Sequence, residues 1–200
     1  MTKSPSEWRF MRVLVYRIGQ LGDTIVALPA LNIVRSAFPE AEITLLRDVH
    51  VGSNHVAAED VLPRNLVDCY LRYRCEDGRI SIREAQNLLR KIRFSKFDVL
   101  IYLAPHQRSL FQRWRDLLFF RLAGIRQFYG HKGFEKLRMA QPPLPIVTHE
   151  ADHLINRLAA SGLRYAREEA TVDFALTMDE QRFADRWFND LRDAVGASAY

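Results

Sequence analysis

Short runs of consecutive apolar residues alternate along this chain with stretches in which apolar side chains recur every three to four positions. The first kind reads as buried strand and the second as amphipathic helix. Residues 12–18 form such a strand run, and 24–37 carry Ile25, Leu28, Leu31 and Val34 near helical spacing. Pro29 inside that stretch predicts a kink or a new helix start, because proline lacks an amide donor. Residues 42–47 are a second strand, which completes a βαβ unit with parallel strands and a right-handed crossover.

Residues 48–66 read as irregular or weakly helical, and 67–73 as a third strand. Ser81 and Glu84 form a capping box ahead of a helix with Ile82, Ala85, Leu89 and Ile92 on one face. Residues 97–103 are the second strong strand. Ser109 and Gln112 then cap a helix to about Ala123, with Gly124 as its stop. A short strand at 126–129, a proline-containing loop at 132–147 and a helix from Thr148 to Gly162 follow, with 171–176 as a last strand. Thr177 and Glu180 cap a final helix with Phe183, Trp187, Leu191 and Val195 on one side. The alternation predicts an α/β fold with a doubly wound, mainly parallel sheet and helices on both faces. Residues 1–11 read as a flexible leader and 12–176 as one domain. The helix opening 177–200 has nothing after it to bury its aromatic side unless it folds back.

Two hundred residues suit one generous α/β domain, or one domain plus part of another. No apolar run nears the roughly 18–20 residues that span a bilayer, and the N-terminus lacks a signal-peptide core, so a cytoplasmic location is expected. Cys69 and Cys75 are too few for a disulfide framework or a zinc site, and no metal-ligand cluster is evident; Cys69, if on a strand, reads as a small core residue. The net charge of +5 comes mainly from arginine, whose planar fork suits phosphate and carboxylate. The arginines are spread along the chain without an aromatic–basic signature, which argues against nucleic acid and for an anionic small molecule or membrane surface.

The chemistry concentrates at Gly19-Gln20-Leu21-Gly22-Asp23. The turn follows a strand, where open α/β sheets hold their ligands. It lacks both the dinucleotide fingerprint and a Walker lysine, which speaks against a nucleotide-binding Rossmann protein. Asp23 reads either as a helix N-cap or as a general base at the strand end. Arg17 reads as a partner of Asp23 or as a ligand for an acceptor carboxylate or phosphate. His106 and Arg108 follow the 97–103 strand and share that edge. His149 opens a helix, with capping as its plain role and acceptor contact as the functional one.

The stretch Arg12-Val-Leu-Val-Tyr-Arg-Ile-Gly-Gln-Leu-Gly-Asp-Thr-Ile-Val-Ala-Leu-Pro-Ala-Leu31, with Phe38-Pro-Glu-Ala-Glu-Ile-Thr-Leu-Leu46, resembles the opening of glycosyltransferase family 9, the lipopolysaccharide heptosyltransferases and their relatives. Tyr102-Leu-Ala-Pro105, Arg115–Ile125, Gln127–Gly130 and His149-Glu150 followed by Gly162 are similar to later parts of the same domain. Two departures are Gln20, where small residues are usual, and Ala104-Pro-His106 in place of acidic and glycine residues.

The resemblance implies the N-terminal half of a GT-B fold: a Rossmann-like domain that binds the acceptor in an inverting transfer without cofactor or metal. Asp23 would take the acceptor proton, and Arg17, His106, Arg108 and His149 would bind the acceptor. Residues Gly19 to Gly22 would line the transferred sugar. The implied partners are an anionic glycolipid of the lipopolysaccharide core and a nucleotide sugar such as ADP-heptose, with peripheral contact at the inner membrane. The donor motif of the family's second domain is not found in 171–200, so 177–200 reads as the lead-in to a missing donor domain, and the chain is expected to lack turnover alone. The alternative is a non-catalytic α/β binding or interaction module.

Overall fold

The computed structural model describes residues 11–50, 58–76, 79–105, 107–134, 148–174 and 176–195. Five strands form one sheet: β1 (Arg12–Tyr16), β2 (Glu42–His50), β3 (Cys69–Cys75), β4 (Val99–Tyr102) and β5 (Gln127–Tyr129). Their order is β3-β2-β1-β4-β5 and every pairing is parallel. β1, β2 and β4 are apolar because parallel strands covered by helices are buried on both faces. Val13, Leu14, Val15, Leu100 and Ile101 have no solvent exposure. The doubly wound α/β reading of the sequence therefore holds.

The helix expected over 24–37 is two helices, α1 (Leu21–Val26) and α2 (Leu28–Ala37). Pro29 sits in the first turn of α2, where its missing N–H has no helical partner to lose. α3 (Ile82–Ser95) and α4 (Leu110–Leu122) cover one sheet face with Leu88, Ile92 and Phe120. α2 and α5 (Glu150–Ala160) cover the other with Leu31, Val34, Leu154 and Leu158. The last helix, α6 (Met178–Val195), begins at the expected Thr177–Glu180 capping box.

Several expectations are corrected. Residues 171–174 and 176 form no strand; this segment runs along α2, where Asn32 Nδ2 donates to the Thr171 carbonyl at 3.0 Å. Ile82 is 79% exposed, and Leu88 takes its place on the buried face of α3. The helix expected from Thr148 is capped by His149 and starts at Glu150. Cys69 stands exposed on β3, while Cys75 is the buried thiol. Met11, placed in the leader, is buried, and its carbonyl accepts from the Glu42 amide at 3.0 Å. Residues 1–10 and 196–200 lie outside the described residues.

Candidate functional site

β1 lies between β2 and β4, and the chain winds to opposite sides of the sheet from there. In such sheets the crevice outside the carboxyl ends at the switch point is where ligands bind. The turn after β1 and the loop after β4 meet at this place. A wider hollow of about 470 Å³ lies at the strands' amino ends, lined by Arg12, Arg35, Glu42 and Asp68. Those four are committed to ion pairs, Arg12 with Glu42 and Arg35 with Asp68.

Asp23 occupies the third position of α1, not the N-cap. Its Oδ2 reaches back and accepts from the Gln20 amide at 2.9 Å, which satisfies one free donor at the helix start. Its Oδ1 stands 3.5 Å from a terminal nitrogen of Arg17, and the side chain is about half exposed (47%). A carboxylate offers about four lone-pair sites. One cap bond therefore leaves capacity for an incoming hydroxyl, and capping and base chemistry are compatible.

Gly19 makes the turn possible. Its φ is +121°, and a Cβ there would collide with the Asp23 carboxyl group. The Gly19 amide donates to Asp48 Oδ1 at 3.1 Å, tying the turn to the end of β2. Gly19 and Gln20 thus spend their amides within the protein, while Leu21 and Gly22 are the first two residues of α1.

Arg17 is buried, and its guanidinium is spent on backbone. It donates to the Asp23 carbonyl at 2.6 and 3.1 Å and to the Leu103 carbonyl at 2.7 Å. Burial lowers its pKa, opposed by the negative charges of Asp23, Glu150 and Asp48. It fastens the turn to the end of β4 and is a positioning residue. A second buried arginine, which sequence reasoning missed, does the same on the other side. Arg157 of α5 donates to the carbonyls of Tyr102, Ala104 and Gly130 at 2.6, 2.8 and 2.9 Å. Burial lowers its pKa to about 10.

Arg108 points to the α3/α4 side of the sheet. It pairs with buried Asp116 at 2.6 Å and donates to the Tyr16 hydroxyl at 3.3 Å. Asp116 also accepts from the Tyr102 hydroxyl at 2.8 Å and pairs with Arg115 at 3.0 Å. Tyr16, Arg108, Arg115 and Asp116 wall a cavity of about 310 Å³ that opens beside the Gly19 turn, with Asp48, Tyr73 and Phe120 among its other lining residues. Burial, with Asp116 adding to it, pushes the Tyr16 phenol up to about 12. Burial also raises Tyr73 and the Cys75 thiol.

His149 is exposed and caps α5, its Nδ1 accepting from the Ala151 amide at 3.2 Å. His106 lies outside the described residues. The site brings together Asp23, Arg17, Gly19 and, around the adjoining cavity, Arg108, Asp48 and Asp116. Arginine or aspartate on the apolar face of a helix was the signal for Arg157 and Asp116. Among the described residues no cluster of three or more His, Cys, Asp or Glu is placed to hold a metal ion, and no helix is long and apolar enough to cross a membrane.

No protein-family model matches the chain, and no curated protein matches it. Among solved structures it is similar to a glycosyl transferase family 9 protein from Veillonella parvula, with 22% identity and a TM-score of 0.48. That alignment covers 77% of this chain and 42% of the other, so the chain spans less than half of that protein's length.

Proposed function

We infer that this chain holds the acceptor in an inverting glycosyl transfer and that Asp23 is the base for the acceptor hydroxyl. The observation that carries the reading is the half-exposed Asp23 carboxylate at the switch point, fixed by one cap bond and by Arg17 beneath its backbone. The resemblance of residues 12–31 to family 9 supplies the reaction class. In this reading the hydroxyl oxygen attacks the anomeric carbon of a nucleotide sugar, its proton passes to Asp23, and the nucleoside diphosphate leaves. Base catalysis of this kind contributes about 10²–10⁴-fold.

The anionic acceptor, a lipopolysaccharide-core glycolipid, would lie over the cavity beside Gly19, where Arg108 and Arg115 share the single counter-charge of Asp116. His149 and His106 stay acceptor-side candidates. A second domain would hold the donor, proposed to be ADP-heptose. The non-catalytic module would cover the aromatic side of α6, yet Phe183 and Trp187 are 64% and 52% exposed.

Titrating the chain with an inner-core oligosaccharide, followed by amide NMR, tests the acceptor assignment. Saturable shifts at Gly19, Gly22 and Asp23 are expected, with no tight binding of ADP-heptose. Tight donor binding by this chain, or shifts confined to the strands' amino ends, would contradict it.

A further inference from the structure

The outer side of α4 has the composition of a surface that binds another phase. Leu110, Trp114, Leu118 and Leu122 repeat every fourth residue along about 18 Å of helix, and Phe111 lies beside them. All five are between 41% and 74% exposed. Asp116 and Phe120 occupy the opposite side, against the sheet, so the exposed stripe is not a misplaced core face. An apolar depression of about 310 Å³ deepens the stripe at Trp114, Leu117 and Leu118, with Arg121 and Phe128 on its rim. Arg121 holds its guanidinium over the Phe128 ring at 5.7 Å.

Charge decides what this surface fits. α3 lies beside α4 on the same sheet face and also turns its far side to solvent, with Phe94 89% exposed. Four basic residues against one acidic stand in α3, and three against one in α4. That excess equals the net charge of +5 of the whole chain. The two acidic residues are engaged, Glu84 by the Arg74 amide and Asp116 by Arg108. Six arginines and Lys91 thus stand on the two helices of this sheet face, and Arg115 and Arg121 flank the stripe.

We propose that this α3/α4 face docks on an anionic lipid bilayer, with α4 lying in the interface plane. Trp114, Phe111 and the leucines enter the headgroup–acyl boundary while Arg115, Arg121, Arg90 and Arg93 meet lipid phosphates. A second copy fits less well, because a twofold contact would set the basic face against itself. The other exposed apolar helix, α6, is a poor rival for lipid: it carries five acidic residues against three basic. Because α4 starts next to Arg108, docking brings the carboxyl edge of the sheet close to the membrane surface. This docking is independent of any glycosyl transfer.

Co-sedimentation of the chain with vesicles tests it, using phosphatidylcholine alone and with roughly a third phosphatidylglycerol. The expected result is salt-sensitive binding to the anionic vesicles, at least about tenfold stronger than to neutral ones. Trp114→Gln with Leu118→Gln should weaken it about tenfold, and Arg90→Glu with Arg121→Glu more, each with an unchanged melting temperature. Phe183→Gln with Trp187→Gln on α6 should leave it unchanged. Equal binding to both vesicle types, or no binding, would overturn the proposal. So would loss through the α6 pair alone, or stripe variants that alter only self-association by sedimentation equilibrium. The transfer reading would stand in each case, since it predicts oligosaccharide shifts at Gly19 and Asp23 whether or not lipid binds.

Discussion

Gly19 and Asp23 are fitted to each other: a Cβ built on Gly19 would stand 2.7 Å from the carboxyl carbon of Asp23. Gly22, three residues on, has open space at the same position. Gly19→Ala is therefore expected to cost about 2 kcal/mol or more, from positive φ and collision together. Gly22→Ala should fall within about 0.5 kcal/mol of neutral or stabilise α1 slightly. Urea melts of the two variants check this, and equal losses would contradict the geometry.

Arg17 makes its bonds to carbonyls of Asp23 and Leu103 in a buried setting. Removing it strands those acceptors at about 1–3 kcal/mol each, so Arg17→Met should destabilise by roughly 2–5 kcal/mol. Arg17→Lys should recover little, since a point charge cannot span two diverging carbonyls as the fork does. Arg108→Met should cost less, because Asp116 keeps Tyr102 and Arg115. A loss from Arg17→Met no larger than from Arg108→Met would show that Arg17 does not hold the turn.

The buried phenols make the fold sensitive to alkali. Tyr16 is raised by burial, then by Asp116, from 10.0 to about 12, and burial raises Tyr73 and Tyr102 as well. Above about pH 10 the unfolded chain releases phenolic protons that the folded chain keeps. The unfolded state then binds fewer protons, so stability falls as pH rises. The contribution is complete below pH 10 and is lost as pH climbs through the folded values. For Tyr16 alone it amounts to about 2–3 kcal/mol. Urea melts at about pH 8 and about pH 11 should differ accordingly, and Tyr16→Phe should flatten the slope. An unchanged slope in that variant would remove Tyr16 from the account.

The sheet, its parallel sense and the edge that carries the site were legible because strand and helix periods announce themselves locally. The boxes at Ser109–Gln112 and Thr177–Glu180 were legible for the same reason. Arg17 was legible as a residue of the site but not as a buried clamp. Its partner Leu103 lies 86 residues away and contributes only a carbonyl, which no side-chain pattern records. Arg157 left a fainter signal, an arginine beside Leu154 and Leu158 on the apolar face of α5. The expected strand at 171–176 failed because the segment runs along α2, bonded there through the Thr171 carbonyl; Phe174 reaches the core, while Val172 and Leu176 stay exposed. The basic face emerged only when α3 and α4 were set side by side.

Asp23 is proposed to act as a base, beyond its part in capping α1. The most direct measurement is transfer from ADP-heptose to an inner-core acceptor by Asp23→Asn, with a donor-binding domain supplied. Asparagine keeps an oxygen for the Gln20 amide, so the fold and the acceptor KM should be preserved. Its kcat should be lower by about 10²–10⁴-fold. Near-normal turnover in that variant, with its melting temperature unchanged, would contradict it and leave Asp23 as a helix cap.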